Sequence, residues 1–487
     1  MTTTFAQVIS IISPLFFWFA IASATVRLLI KKQSNSATLS WIMLIYLVPI
    51  IGLILYLMFG EITLGRKHAE KAKALAPIYQ EWFKQLQKHP HLLRQNISGR
   101  YLALFELCQK QLQIPCVAGN ELKLLSSPQT IMRQIIRDIR NAETEIRMVF
   151  YIWHNGGMVD DIAEELKNAR RRGVNVQVLL DAVGSSEFLR SPQYHAMRAE
   201  GIEIGESFKV KLWRVFLSRI DLRQHRKIIV IDNHIGYTGS MNMVDPAFFK
   251  QDENVGQWID VMVRINGPVS TVLAALHSWD WQIENEVEAL PPLPDEKHVP
   301  VDLDNQHAVQ ILPSGPNENK ELMPRALATA IYSARSSIVI TTPYFVPSLE
   351  IANALESAAL RGVSVKIIVP KRNDSVMVEW ASRYFFDELL EAGVEIYRFE
   401  DGLLHTKSIL IDERLVMIGS VNMDIRSFLL NFEVTMIVDD ADFAREVNTL
   451  QRDYIDASTM VDVERWAKRP VYKRIVEKLF YLSSPLL

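Results

Sequence analysis

A chain of 487 residues with 53 Lys and Arg against 56 Asp and Glu has a formal charge of −3, so its overall balance offers no attraction for nucleic acid. Its two cysteines, Cys108 and Cys116, are too few for a disulfide framework or a cysteine-rich metal site. The length suits two or three domains and excludes a single small module.

Positions 8–26 hold no charged residue and neither do 39–59, each run close to the roughly 20 residues that cross a bilayer as a helix. Residues 1–60 therefore read as a transmembrane hairpin, with Trp41 and Tyr56 near the interfaces and Pro14, Pro49 and Gly52 tolerable in lipid. A cleaved signal peptide fits less well, because Met1 to Gln7 carries no Lys or Arg. Arg27, Lys31 and Lys32 in the loop stand against Arg66, Lys67, Lys71 and Lys73 after the second run, a slight excess that favours a cytoplasmic body.

Residues 61–115 are charged and rich in helix formers, and read as a helical connector, a stalk or collar. Within it His89-Pro90-His91 has no companion ligands and reads as solvated surface. Beyond lie two stretches of one pattern. Residues 146–180 run strand, helix, Arg172-Gly173-Val174-Asn175-Val176, strand, and residues 338–369 repeat it with Arg361-Gly362-Val363-Ser364-Val365. Domains 116–290 and 309–487 are therefore expected to be α/β copies of one unit, joined by a proline-rich linker over 291–308.

Each copy carries His-x-Lys-x4-Asp-x6-Gly-Ser-x-Asn, first as His225, Lys227, Asp232, Gly239, Ser240 and Asn242, then as His405, Lys407, Asp412, Gly419, Ser420 and Asn422. Alternation on a strand sets His and Lys on one face. Imidazole can attack phosphorus or move a proton, and an ammonium, a hydroxyl and an amide can hold phosphate oxygens, so the inventory suits a phosphodiester. His225, Lys227, Asp232, His405, Lys407 and Asp412 are the catalytic candidates; Asp232 and Asp412, at strand ends, are expected to brace the local fold. Ser240, Asn242, Ser420 and Asn422 are the substrate-binding candidates. Asp260 and Glu433 lie on later apolar runs, and each is expected to hydrogen-bond the histidine of its own repeat. If the domains meet about a pseudo-twofold axis, both histidines share one cleft. No nucleotide loop and no metal cluster stands out, and neither cofactor nor metal is expected.

Basic and apolar residues alternate at Lys209, Lys211, Arg214, Arg219 and Arg223, a composition suited to an anionic lipid or to an amphipathic element packed on the domain. Lys468, Arg469, Lys473, Arg474 and Lys478 do the same near the C-terminus, as an interfacial helix or a tail packed on the body.

The doubled motif (about 223–245 and 403–425) resembles that of the phospholipase D superfamily. With the two N-terminal runs, Asp221 to Lys227, Thr238 to Pro246 and Thr342-Pro343-Tyr344-Phe345-Val346-Pro347, the chain resembles the membrane-bound bacterial cardiolipin synthases end to end. That resemblance implies two phospholipase-D-like αβα domains and a multi-pass inner-membrane enzyme of lipid biosynthesis. It further implies condensation of two phosphatidylglycerol molecules, donor and acceptor, into cardiolipin and glycerol through a phosphatidyl-histidine. A phospholipase D-type hydrolase or another phosphatidyltransferase is the alternative reading, and a non-catalytic membrane scaffold a further one.

Overall fold

The computed structural model describes residues 2–31, 35–61, 65–89, 92–93, 99–209, 219, 221–285, 289–294, 307–316 and 321–482. Most of the basic segment 209–223, Pro90 and His91, and most of the linker 291–308 fall outside the described residues. The chain divides into two compact units, the N-terminal helices and the body from His68 onward.

In the N-terminal unit Thr2–Ile30 is one helix. The second apolar run is not one helix: Asn35–Leu47 and Pro49–Phe59 are separated at Val48. Pro49 disfavours the helical conformation at the residue before it, and Val48 takes φ −133° and ψ 71°. Val48 N donates to Leu44 O at 3.0 Å and Gly52 N to Val48 O at 2.7 Å, carrying hydrogen bonding through the break. Among the described residues no helix is long and apolar enough to cross a membrane, so the expectation of two unbroken spans is corrected. Ile21, Ala24 and Leu28 pack on Ile45 and Tyr56. Phe16, Phe19, Leu47 and Ile50 point outward and are exposed.

The body is α/β. In the first repeat Glu145–Phe150, Asn175–Asp181 and Glu203–Ser207 run parallel, and Ile228–Ile231, Ile235–Gly239 and Met262–Asn266 continue the sheet antiparallel. The second repeat matches it with Ser337–Thr341, Ser364–Pro370 and Glu395–Phe399, then Ser408–Ile411, Leu415–Gly419 and Asn431–Asp439. The middle positions of most of these strands are apolar and buried because helices cover both faces. Val117–Leu125 pairs antiparallel with His307–Ser314, so the repeats share one continuous sheet. Two short parallel pairs also cross between repeats: Arg223–Gln224 beside Asn431–Phe432, and Leu403–Leu404 beside Trp258–Ile259.

The connector is no stalk. On Arg66–Leu86, the side chains of Leu75, Tyr79, Trp82, Phe83 and Leu86 are buried in the core shared by the repeats, and Leu104, Phe105 and Cys108 of Leu102–Leu112 enter the core of the second. Lys71 Nζ donates to the carbonyls of Gln282, Ile283 and Asn285 at 2.7–3.1 Å, a cation at the carboxyl end of helix Val269–Glu284. The linker's first residues are tied down as well, with Trp82 Nε1 donating to Pro291 O at 2.9 Å.

Candidate active site

The backbone segments that carry His225 and His405 are each held by the opposite repeat. His225 N donates to Phe432 O and His405 N to Ile259 O, both at 2.9 Å, extending the two short parallel pairs. The residue after each acceptor is an acid, and the acids are therefore exchanged. His225 Nδ1 lies 2.8 and 2.9 Å from the two carboxylate oxygens of Glu433, and His405 Nδ1 lies 2.7 Å from Asp260 Oδ1. This corrects the expected pairing within repeats: the acids are those expected, but each serves the other repeat's histidine. A carboxylate accepts from Nδ1–H, which leaves Nε2 with the lone pair.

The acids have supports of their own. Ser240 Oγ donates to Asp260 Oδ1 at 2.6 Å, and Asn431 Nδ2 to Glu433 Oε1 at 3.1 Å. Ser240 and Ser420 are fully buried, each accepting from the strand behind it, Val261 N or Val434 N at 3.0 Å. They brace the acid-bearing strands, which corrects the expectation that they bind substrate. Asn242 and Asn422 line the cleft; Asn242 Oδ1 accepts from Ile152 N at 3.2 Å, and Asn422 Oδ1 is buried with no hydrogen-bond partner among the described residues.

Lys227 and Lys407 are almost wholly buried, and each donates to the carbonyl of its own histidine, at 2.7 and 2.6 Å. Two ammonium groups thus stand near the two carboxylates that hold the histidines. Burial lowers Lys227 to about 7 and Lys407 to about 8, with Glu433 and Asp260 opposing the shift. Burial also lowers His225 to about 4 and His405 below its ordinary value. Asp260 stays below the carboxylate range because His405 and Lys407 outweigh its burial.

Asp232 and Asp412 are away from this chemistry, which corrects their place among the catalytic candidates. Asp232 accepts from the backbone N–H groups of Glu143, Thr144 and Glu145, and Asp412 from those of Arg335, Ser336 and Ser337. Each follows its motif strand at positive φ, 49° and 52°, and clips the loop that enters the neighbouring strand.

Both imidazoles open into one cleft of about 830 Å³. Several of its walls were not singled out from sequence. The Tyr151 ring lies 5.0 Å from that of His225, and Trp258 4.4 Å from that of His405. Arg223, Lys250 and Arg426 line it with Glu187, Asp252, Asp374 and Asp424, and burial raises Asp424 to about 6. Tyr151 and Asp374 lie just beyond the carboxyl ends of parallel strands, where open α/β sheets place ligands, and that rule was the available signal.

The cleft, with two His-Asn pairs related by an internal repeat and a buried lysine behind each, has the arrangement of the phospholipase D class. The family model "Cardiolipin synthase, PLD-like domain" matches residues 135–266 and 327–453, and "Phospholipase_D-nuclease N-terminal" matches 9–61. Cardiolipin synthase A of Yersinia pseudotuberculosis and that of Yersinia pestis are each 49% identical over 485 residues, covering 100% of both chains. Phosphatidylserine synthase of Haemophilus influenzae has a similar fold, with a TM-score of 0.56 at 16% identity over 75% of this chain and 95% of that one. The chain belongs to the cardiolipin synthase family of the phospholipase D superfamily. It is a phosphatidyltransferase of phospholipid biosynthesis.

Proposed function

We propose that the chain joins two phosphatidylglycerol molecules into cardiolipin and glycerol, with His225 as nucleophile and His405 as acid and base. The observation that carries this reading is the crossed pair: two imidazoles in one cleft, each fixed through Nδ1 by a carboxylate. His225, the imidazole lowered to about 4, is neutral at working pH, as a nucleophile must be. Its Nε2 attacks the donor phosphorus, the P–O bond to the headgroup glycerol breaks, and protonated His405 gives its proton to the departing oxygen. An entering anionic phosphodiester favours that proton on His405, beside Asp260. The acceptor's terminal hydroxyl then attacks the phosphatidyl-histidine while His405 takes its proton back. One phosphodiester replaces another, so no high-energy donor is required. Asn242 and Asn422 serve the phosphate oxygens; Lys227 and Lys407 hold the field positive and fix the histidine backbones.

The N-terminal helices serve as a membrane anchor in this reading, a hairpin whose second arm bends at Pro49, with the body on the cytoplasmic side of the inner membrane. The exposed apolar side chains of Phe16, Phe19, Leu47 and Ile50 support it. Purified protein given labelled phosphatidylglycerol should yield labelled cardiolipin and free glycerol, with an acid-labile lipid adduct trapped on rapid quenching. Phosphatidic acid as the main product would identify a hydrolase instead.

A further inference from the structure

The C-terminal helix Val471–Leu482 packs Phe480 and Tyr481 on the body and carries a second apolar stripe that faces away from it. Its inward face carries Glu477, only 2% exposed, held by Arg469 at 2.8 Å, while Val471, Ile475, Leu479 and Leu482 form an outward stripe, each more than half exposed. A surface helix normally buries the apolar stripe and shows the charges. The inward face fixes the helix's orientation: Tyr481 stacks on Tyr384 at 4.2 Å, Trp380 on Phe480 at 6.5 Å, and Arg469 also bridges to Asp387 at 2.6 Å. The supporting helix, Val376–Tyr384, begins with Val376 and Met377, both exposed, and Met377 lines the rim of the catalytic cleft. Lys468, Arg474 and Lys478 are exposed around the stripe.

We propose that this stripe docks on the surface of an anionic phospholipid bilayer and brings the rim of the cleft to the headgroup layer, as a contact additional to the N-terminal helices. The inference rests on the reading that the substrate is phosphatidylglycerol drawn from a membrane. An apolar stripe flanked by cations has the chemistry of an interfacial helix, with acyl chains to cover the first and anionic headgroups to meet the second. Continuity with the cleft through Met377 favours the bilayer over a second copy of the chain as occupant. Of the exposed acids nearby, Asp462 and Glu464 precede the helix, and Glu388 stands beside Tyr481, off the stripe.

Leu479→Cys in the full chain tests this, because Cys108 and Cys116 are buried and a maleimide fluorophore is directed to position 479. In vesicles containing phosphatidylglycerol with brominated acyl chains, emission should fall at least about twofold relative to unbrominated vesicles, as for a group at the acyl boundary. Emission indifferent to bromination overturns the proposal, as does shielding that grows with protein density at fixed lipid, the mark of a second copy. The readout needs no turnover, so a failure of cardiolipin synthesis would be seen separately. In the unlabelled chain Ile475→Glu should lower turnover of vesicle-borne relative to monomeric short-chain phosphatidylglycerol by about tenfold; an unchanged ratio overturns the proposal.

Discussion

The two repeats each present a motif histidine and asparagine to the cleft and are held from behind by different chemistry. Between His225 and Lys227 stands Arg226, fully buried, which donates to Asp280 Oδ1 at 2.7 Å and to Glu433 O at 3.0 Å. Between His405 and Lys407 stands Thr406, whose hydroxyl lies 3.0 Å from Tyr454 OH and 3.2 Å from Ile259 O. A charged clamp on helix Val269–Glu284 thus corresponds to a neutral hydroxyl pair on helix Ala441–Asp456. The acids differ likewise, Glu433 beside an amide and Asp260 beside a hydroxyl. What the copies do not share sets how firmly, and with what charge, each histidine is held.

The largest expected effect breaks the comparison at the histidines themselves. His225→Ala and His405→Ala should each lower cardiolipin synthesis by at least about 10³-fold, since each removes a whole catalytic function. They should differ in what accumulates: His405→Ala retains slow formation of the lipid adduct, and His225→Ala forms none. Adduct on the His225→Ala protein in quenched-flow samples would reverse the assigned roles.

Removing the exchanged acids comes next. Glu433→Gln and Asp260→Asn should each lower kcat by about 10²- to 10⁴-fold, as loss of a histidine-orienting carboxylate does. Because the pairs are crossed, Glu433→Gln should impair adduct formation and Asp260→Asn the proton transfers at His405. Single-turnover rates separate the two, and identical profiles would show the histidines to be interchangeable.

The pH profile sharpens the contrast between lysines. Both are charged below their lowered pKa values and lose charge as pH rises, Lys227 through about 7 and then Lys407 through about 8. kcat/KM, which reports free enzyme, should therefore fall on the alkaline side in two steps, the first copy failing first. Lys227→Arg should remove the earlier step. A profile flat into the alkaline range in the unmodified enzyme would contradict the assignment.

The smallest effect on chemistry concerns the supports. Arg226→Met leaves Asp280 buried without its cation and should cost about 3–5 kcal/mol of stability, whereas Thr406→Val should cost about 1 kcal/mol. Thermal unfolding in detergent checks the order, and equal shifts would mean that the clamp is redundant.

Much of this was legible in the chain. The repeat, its α/β character, the histidines and both acids follow from residues spaced at fixed intervals, because local period and composition dictate strands and helices. The crossing was not, because it depends on Arg223–Gln224 lying beside Asn431–Phe432, a pairing across some 200 positions that no local pattern encodes. Ser240 and Ser420 were misplaced for a related reason: strand alternation gives a face but not which neighbouring strand lies behind it. The break at Val48 turns on one proline, whose effect the uncharged run concealed.

The shared sheet has a consequence for traffic. Because Val117–Leu125 and His307–Ser314 are hydrogen-bonded neighbours, the repeats are fused along a rigid seam and cannot swing apart as jaws. Loading and unloading must then occur without the two halves parting, by movement of the loops that line the mouth. Selectivity among headgroups then becomes a matter of doorway width.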